Sequence, residues 1–411
     1  MHNLHLWHPF TRDSDPAPLP IRRGDGVYLE LQDGRKILDA ISSWWVNLHG
    51  HAHPAIAAAV AAQAGRLEHA IFAGFSHQPA EELSNRLAKI VPAGLEHIFF
   101  SDDGSTAVEV ALKLAVQFWQ NSGHPEKHGI VALQHAYHGD TAGAMAVSDD
   151  SPFTAPFRAM RFPVLRAGDL VGLERLLAES GTEIAAMIVE PMLQGAGGML
   201  VYPPEFLAGI RRLTAEYDVL LIADEVLTGF GRTGRMFACE HAGVVPDLMC
   251  VAKGLTGGFL PLAATLATGR IHAAFTGADA SRAFFHGHSY TANPIACAAA
   301  NANLEVFDTE PVFERIAAIE QVHAARLPAL ASHPAVTGVR HIGTVAAIDL
   351  KVPDAGYLSS LRPQLYQFYL SRGVLLRPLG NVVYILPPYV ITPQQLGMVY
   401  DVIQESLALV R

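Results

Sequence analysis

Two apolar runs that each end at a charged side chain constrain the fold of this chain more than any other feature. Asp224 closes the run VLLIA at 219–223, and Lys253 follows the run LMCVA at 248–252. An apolar run of this length, bounded by turn residues, is typical of a buried strand in a parallel sheet. Ligands of open α/β sheets bind outside the carboxyl ends of such strands. The two runs therefore predict a mostly parallel sheet with a carboxylate and an amine at its ligand-binding edge.

A carboxylate and an amine placed in this way suit the chemistry of pyridoxal 5'-phosphate. In enzymes that use this cofactor, a lysine forms a Schiff base with it and an acidic side chain holds the nitrogen of its pyridine ring. Taken alone, either Asp224 or Lys253 could simply be the first residue of a solvated loop. The motifs around them favour the cofactor site.

Composition limits the remaining classes of function. The chain has 411 residues, of which 50% are hydrophobic and 17% are charged, so we expect a compact enzyme-like protein of two or three domains. The net charge of −10 and the lack of a basic run give no reason to expect nucleic acid or a membrane as partner. The three cysteines lack the spacing of a metal site, and we expect no metal. Without a visible signal peptide or membrane span, a cytoplasmic location is expected.

The order of predicted elements indicates an α/β fold with three regions. Residues 1–52 should form an irregular arm and a hairpin around Asp33-Gly34 that joins a small domain. Residues 53–300 should form the large cofactor-binding domain, and residues 301–411 a smaller α+β domain. The predicted helices are 55–67, 80–90, 105–120, 204–217, 310–332 and 358–372, and the predicted strands are 97–100, 130–134, 184–189, 219–223, 248–252, 262–267, 345–350, 374–377 and 383–386.

The turn after the strand HIFF at 97–100 is a candidate phosphate site. Gly104 and Ser105 begin a predicted helix, whose first N–H groups and positive dipole end attract an anion. The alternative is an ordinary capping box, in which Ser105 or Thr106 caps the helix with Glu109 behind it. Both interpretations are compatible, because a serine near the cap can also face a ligand.

Three further side chains have two interpretations each. Tyr137 follows a strand and could stack on a flat cofactor or pack within its loop. Trp44, beside Trp45 in SSWW, could fill the core or line an apolar pocket. Arg377, at the end of a short strand, could be a solvated charge or a clamp for a substrate carboxylate.

Two histidine-rich motifs are less informative. His49, His51 and His53 alternate as metal ligands do, but glycine and proline between them favour a turn with exposed imidazoles. The motif HGHSYT at 286–291 lacks the second glycine of a nucleophile elbow, so a serine or threonine that contacts phosphate is the better interpretation.

Taken together, the motifs resemble those of the fold-type I, class III pyridoxal-phosphate-dependent aminotransferases over nearly the whole chain. The resemblance rests on LLIADEVLTGFGRTG at 220–234 and on VAKGLTGG at 251–258. Within the class, WHPFT (7–11), SSWW (42–45), YHGDT (137–141), VEPMLQGAGGM (189–199) and LRPLGNVVYILPPY (376–389) resemble the branch of biotin biosynthesis. Leu227 stands where many other members carry glutamine, which also favours that branch.

The resemblance implies a role for each of several residues. Lys253 would form the Schiff base, Asp224 would bind the pyridine nitrogen, Gly104 and Ser105 would hold the phosphate, and Tyr137 would lie over the ring. It also implies that Lys253 and Tyr137 contact the substrate.

The resemblance further implies an active site at the interface of a homodimer. His288 and Ser289 would reach the phosphate of the neighbouring subunit, while Trp44, Gly287 and Arg377 would contact the substrate. The substrates of that branch are 8-amino-7-oxononanoate and, as amino donor, S-adenosyl-L-methionine. Phe10 stands where the family usually has tyrosine, so a substrate-facing hydroxyl is missing. The pair His288-Ser289 replaces the usual Pro-Thr, which leaves lysine open as the donor. Another transaminase of ω-amino acids or diamines is the alternative activity.

Overall fold

The apolar runs form the strands of a seven-stranded sheet in a computed structural model that describes residues 5–12 and 15–410. The strands are β1 Ile21–Asp25, β2 Tyr28–Leu31, β3 Lys36–Asp39, β4 Leu95–Ser101, β5 Gly129–Leu133, β6 Leu165–Ala167, β7 Ile184–Val189, β8 Leu193–Gln194, β9 Leu200–Val201, β10 Leu220–Asp224, β11 Leu248–Val251, β12 Ala263–Thr268, β13 Val336–Ile342, β14 Val345–Leu350, β15 Val374–Leu375 and β16 Val382–Ile385. The large sheet has the order β4-β12-β11-β10-β7-β5-β6. Only β12 runs antiparallel to its neighbours, so the predicted mostly parallel sheet is confirmed.

Helices cover both faces of this sheet. The α-helices of the described residues are α1 Ser42–Trp45, which is kinked, α2 Pro54–Ala64, α3 Gln78–Ile90, α4 Gly104–Asn121, α5 Ala142–Val147, α6 Leu170–Ser180, α7 Pro204–Glu216, α8 Gly269–Ala273, α9 Pro294–Thr309, α10 Val312–Ala331, α11 Leu361–Ser371 and α12 Pro393–Ser406, of which α10, α11 and α12 pack with the smaller sheets and with each other. Ile130 of β5 packs in the core beneath α4, whereas Val131 packs in the core beneath α6 and α7. Successive residues of a strand point to opposite faces, so a strand buried on both faces is apolar throughout.

The N-terminal strands form one smaller sheet with β15, and three C-terminal strands form another. β2 and β3 pair antiparallel around Asp33-Gly34 as predicted, and β15 adds to β3 in parallel. A second sheet, β13-β14-β16, packs against α10. Helix α9 crosses the expected boundary at residue 300, and the division into domains stays a prediction.

The arm before β1 contains neither helix nor strand over residues 5–12 and 15–20. The rest of the predicted arm, residues 1–4 and 13–14, lies outside the described residues. Among the described helices, none combines the length and the apolar composition that crossing a lipid bilayer requires.

Candidate active site

The carboxyl ends of two adjacent parallel strands bring Asp224 and Lys253 to the same edge of the sheet. Asp224 is the last residue of β10 and lies opposite Cys250 of β11. Lys253 follows β11 at the start of a 3-10 turn, with a left-handed φ of 45°. The sheet therefore delivers an acid and an amine to one place, as the two apolar runs predict.

His138 is the partner of Asp224 that the sequence did not single out. Its Nδ1 atom lies 2.7 Å from Oδ2 of Asp224, and the backbone N–H of Val226 donates to Oδ1 at 3.1 Å. Both side chains are buried, and Nε2 of His138 has no hydrogen-bond partner among the described residues. His138 belongs to the motif YHGDT at 137–141, but the sequence analysis considered only Tyr137 of that motif as a candidate.

The amine of Lys253 lies in an apolar and acidic environment. Its Nζ atom is 4.8 Å from the centre of the Trp45 ring. Burial lowers the pKa of this amine to about 8, although Asp224 and Glu190 act in the opposite direction. An amine with a pKa of about 8 is partly uncharged near pH 7 and is therefore a better nucleophile than an ordinary lysine.

Glu190 is a second buried acid that the sequence analysis did not single out. It directly follows β7, and it accepts hydrogen bonds from the backbone N–H groups of Tyr137, at 3.0 Å, and Gly195, at 2.8 Å. Burial raises the pKa of its carboxyl group to about 7, with a further rise from Asp224 that His138 opposes. This acid connects the loop of Tyr137 to the loop after β7.

The candidate phosphate turn lies next to these residues. A Cβ atom on Gly104 would lie 2.6 Å from Cγ1 of Val226, and one on Gly139 would lie 2.1 Å from Oγ of Ser105. The N–H of Asp140 donates to Oγ of Ser105 at 3.2 Å. Glycine is therefore required at both positions, and the turn leaves Ser105 beside the loop that follows Tyr137.

The cap of helix α4 corrects the alternative interpretation of this turn. Asp103, not Ser105 or Thr106, is the N-cap, and its Oδ1 accepts from the N–H of Thr106 at 2.9 Å. Glu109 takes no part in the cap, because it accepts from Thr141 instead. A carboxylate caps more favourably than a threonine hydroxyl at the positive end of a helix.

Trp44 and Arg377 lie together on the exposed side of the site. The guanidinium carbon of Arg377 is 4.4 Å from the centre of the Trp44 ring and 5.9 Å from that of Phe10. Arg377 lies two residues beyond β15, and no ion pair to it is formed within the part of the chain that the structure describes. Trp44 is 42% exposed, whereas Trp45 is buried and donates from Nε1 to the hydroxyl of Tyr384 at 3.0 Å. Trp45 therefore packs in the core against Lys253, whereas Trp44 is partly exposed beside Arg377.

Tyr137 is held by Asp140 and lies near the ring of Phe153. Its hydroxyl donates to Oδ1 of Asp140 at 2.9 Å, and its ring centre is 6.5 Å from that of Phe153. Burial, together with Asp140, raises the pKa of its hydroxyl. Phe153 also contacts Phe10, so an aromatic row links Tyr137 to the arm.

The loop with Gly287, His288 and Ser289 is largely exposed. Nε2 of His288 lies 3.4 Å from Oδ1 of Asp102 in the same chain, just before the phosphate turn. The carbonyl of Ser289 accepts a hydrogen bond from His69. The structure therefore brings this loop to the rim of the turn.

The three alternating histidines are not exposed as the sequence suggested. His49 is buried and burial lowers its pKa to about 3, while His51 and His53 are paired with Asp39 and Glu310 at 3.0 Å. Helix α2 begins immediately after them and packs against α9, and the turn that carries the histidines is therefore largely buried. No cluster able to hold a metal occurs among the described residues.

Comparison with known proteins identifies the family. A family model described as Aminotransferase class-III matches residues 10–407. The chain belongs to the class III aminotransferases. Pyridoxal phosphate is therefore its cofactor, as predicted.

This class III aminotransferase has close relatives and structural neighbours. It is 49% identical to the adenosylmethionine-8-amino-7-oxononanoate aminotransferase of Synechococcus elongatus, over 98% of each chain. It is 40% identical to the Aquifex aeolicus protein of that name, over 98% of this chain and 95% of the relative. The solved Methanocaldococcus jannaschii protein of that name superposes with a TM-score of 0.95 at 35% identity, covering 99% of this chain and 97% of that one. A pyridoxal-phosphate-bound amine transaminase from an uncultivated Pseudomonas species gives 0.92 at 31% identity, covering 99% of each chain.

Proposed function

We propose that this aminotransferase transfers an amino group from S-adenosyl-L-methionine to 8-amino-7-oxononanoate, which yields 7,8-diaminononanoate for biotin biosynthesis. The observation that carries the proposal is the 49% identity, over 98% of both chains, to a relative with that name. The placement of Lys253 against Trp45 and of Arg377 against the neighbouring Trp44 supports it, since the acceptor has a ketone near one end and a carboxylate at the other.

The side chains at the sheet edge fit pyridoxal phosphate. Asp224, whose carboxylate is oriented by His138, is the acid that would hold the pyridine nitrogen. Gly104 and Ser105 would hold the phosphate at the start of α4, where Gly104 lets the turn pack closely on Val226 and the positive end of the helix attracts an anion. Tyr137 would lie over the ring, with its backbone held by Glu190. When bound, the cofactor supplies a protonated ring that accepts electrons from the carbon losing its proton.

Lys253 would anchor the cofactor covalently and then act as acid and base. Once an amino donor displaces it, its amine can take the proton from the donor α-carbon, because the lowered pKa leaves part of it uncharged near pH 7. The same Nζ could then give that proton back, and hydrolysis of the carbon–nitrogen bond by water would release the keto product and complete the first half of the transfer. The second half runs in reverse on the keto acceptor.

Substrate recognition would fall to the exposed side of the site. Arg377 would bind the acceptor carboxylate, Trp44 would form an apolar wall, and Tyr137, Lys253 and Gly287 would complete the contacts. The guanidinium is held by stacking on Trp44, which leaves its N–H groups available to an anion.

We also propose a homodimer in the cytoplasm, with His288 and Ser289 reaching the phosphate of the neighbouring subunit. The support is a group of apolar side chains beside this loop, Ile71, Phe75, Phe285 and Tyr290, that are each more than half exposed in a single chain. Such a surface is typical of a protein–protein contact.

Single-turnover spectra test the proposed reaction. S-adenosyl-L-methionine alone should bleach the visible absorbance of the bound cofactor, and 8-amino-7-oxononanoate should restore it. Lysine, added in place of S-adenosyl-L-methionine, tests the alternative donor. Bleaching by simple amines with no recovery on 8-amino-7-oxononanoate would favour the amine transaminases, which are also structural neighbours.

A further inference from the structure

The carboxylate of Asp39 lies buried beneath the segment that carries Trp44 and Trp45. Its Oδ1 accepts from the N–H of Ile41 at 3.1 Å, and its Oδ2 accepts from the N–H of Ser43 at 2.6 Å. Nε2 of His51 lies 3.0 Å from the same Oδ2. One buried acid therefore gathers two backbone amides and an imidazole from a single loop.

The backbone that Asp39 holds is strained. Ser42, Ser43 and Trp45 have φ values of 53°, 60° and 69°, which non-glycine residues rarely adopt. Ser43 combines its positive φ with a ψ of −88°, outside the left-handed helical region. Such a conformation persists only where surrounding contacts impose it, and strained backbone is concentrated at functional sites.

Other contacts hold Ser42, Trp45 and Asn47 of this segment. The hydroxyl of Ser42 donates to the carbonyl of Leu386 at 2.8 Å, and the buried Arg232 donates to the carbonyl of Asn47 at 2.9 Å. The turn at Ser43 depends on Asp39, since both the amide and the hydroxyl of Ser43 donate to that carboxylate. From this turn, Trp44 projects toward Arg377 and Trp45 toward Lys253.

We propose that Asp39, with His51 as its partner, is a positioning residue that sets the Trp44–Trp45 segment against Arg377 and Lys253. The inference rests on the proposed function for the identity of the acceptor. Asp39 touches neither substrate nor cofactor, and it acts through the backbone of Ser43. A carboxylate is needed because it accepts two amides and an imidazole N–H at once, which an amide side chain cannot do.

The variant Asp39→Asn tests this role in the holoenzyme. Asparagine has nearly the same shape as aspartate, but its NH2 group would face one of the N–H groups that now donate to Asp39. We expect amide hydrogen exchange over residues 40–46 to accelerate at least tenfold, and KM for 8-amino-7-oxononanoate to rise at least tenfold with kcat changed less than threefold. Unchanged exchange over 40–46, or an unchanged KM, overturns the proposal.

Asp247→Asn is the matched control. Asp247 is another buried carboxylate, which accepts from Arg211 at 2.6 Å and from the N–H of Leu221 at 2.8 Å. Asp247 directly precedes β11, whereas Lys253 follows it, so the two residues lie at opposite ends of the same strand. This variant should lower the melting temperature without altering KM or exchange over 40–46, and an equal rise of KM in it would overturn the specific role of Asp39.

His51→Phe keeps the test decisive if Asp39→Asn does not fold. The His51 side chain is partly exposed, so the protein should tolerate its replacement more easily. We expect this variant, too, to accelerate exchange over residues 40–46 and to raise KM. Hydrogen exchange needs no substrate. If wild-type enzyme fails to turn over 8-amino-7-oxononanoate, the proposed function fails, while the exchange data still decide whether Asp39 holds the segment.

Discussion

The imidazole of His138 and the carboxylate of Asp224 form a buried pair, with Nδ1 and Oδ2 separated by 2.7 Å. The second oxygen of Asp224 accepts from the N–H of Val226. Both oxygens of the carboxylate are thus oriented by groups of the protein itself. Preorganised charge of this kind stabilises a transition state without a reorganisation cost during the reaction.

Asp224→Asn should lower kcat far more than it lowers cofactor occupancy. Removal of a preorganised electrostatic partner costs roughly 3–4 kcal/mol, which corresponds to a loss of about two to three orders of magnitude in rate. Stopped-flow absorbance of the donor half-reaction measures the rate, and the amount of pyridoxal phosphate released on denaturation measures the occupancy. A normal turnover number in a fully loaded variant would remove this role from Asp224.

His138→Phe should cause a smaller loss of the same kind. A hydrogen bond to a charged group contributes about 1.5–3 kcal/mol, so kcat should fall by roughly ten- to a hundredfold. His323→Phe is the control, because His323 is also buried and bonded, to Tyr400 at 2.7 Å, but within the C-terminal region. Equal losses of kcat in the two variants would point to general destabilisation instead.

Lys253→Ala should abolish turnover while the protein remains folded and retains some cofactor through the phosphate turn. Borohydride reduction of wild type should attach the cofactor to the peptide that contains residue 253. Lys127→Ala is the control, since Lys127 is also buried, with Nζ 3.9 Å from the Trp119 ring centre. Reduction onto any other lysine would show that the assignment of Lys253 is wrong.

Uptake of pyridoxal phosphate by the apoprotein should depend on pH through the amine of Lys253. Its pKa of about 8 lies below the usual 10.5 because burial disfavours the charged form. Only the neutral amine attacks an aldehyde, so the uptake rate should rise about tenfold per pH unit below 8 and level off above it. A rate that still climbs between pH 9 and 10 would indicate an ordinary solvated lysine.

Arg377→Ala should weaken the half-reaction with 8-amino-7-oxononanoate by about 2–4 kcal/mol, the usual cost of removing one partner of a buried charge pair. The donor half-reaction should lose less, unless the donor carboxylate uses the same arginine. Arg372→Ala is the control, because Arg372 also stacks on an aromatic ring, that of Phe368 at 5.1 Å, and pairs with Glu405. No loss in either half-reaction would leave Arg377 as a solvated charge.

Local patterns predicted much of the fold. The strands at 184–189 and 345–350 were predicted with the bounds that the structure shows. Helix α9 was not predicted, because it is alanine-rich and buried on most of its surface, and such a helix lacks a polar face with a 3.6-residue period. Helices α6 and α12 and strands β6 and β13 were also missed.

What the sequence determined by itself was the class of sheet, the cofactor and the two residues that end its central strands. Apolar runs and the residues that close them are local properties, and they do not depend on which strands become neighbours. The tertiary structure alone decided that His138, 86 residues before Asp224, is its partner, and that Trp44 lies against Arg377. These contacts depend on the order of strands and the paths of loops, which the spacing of residues along the chain does not encode.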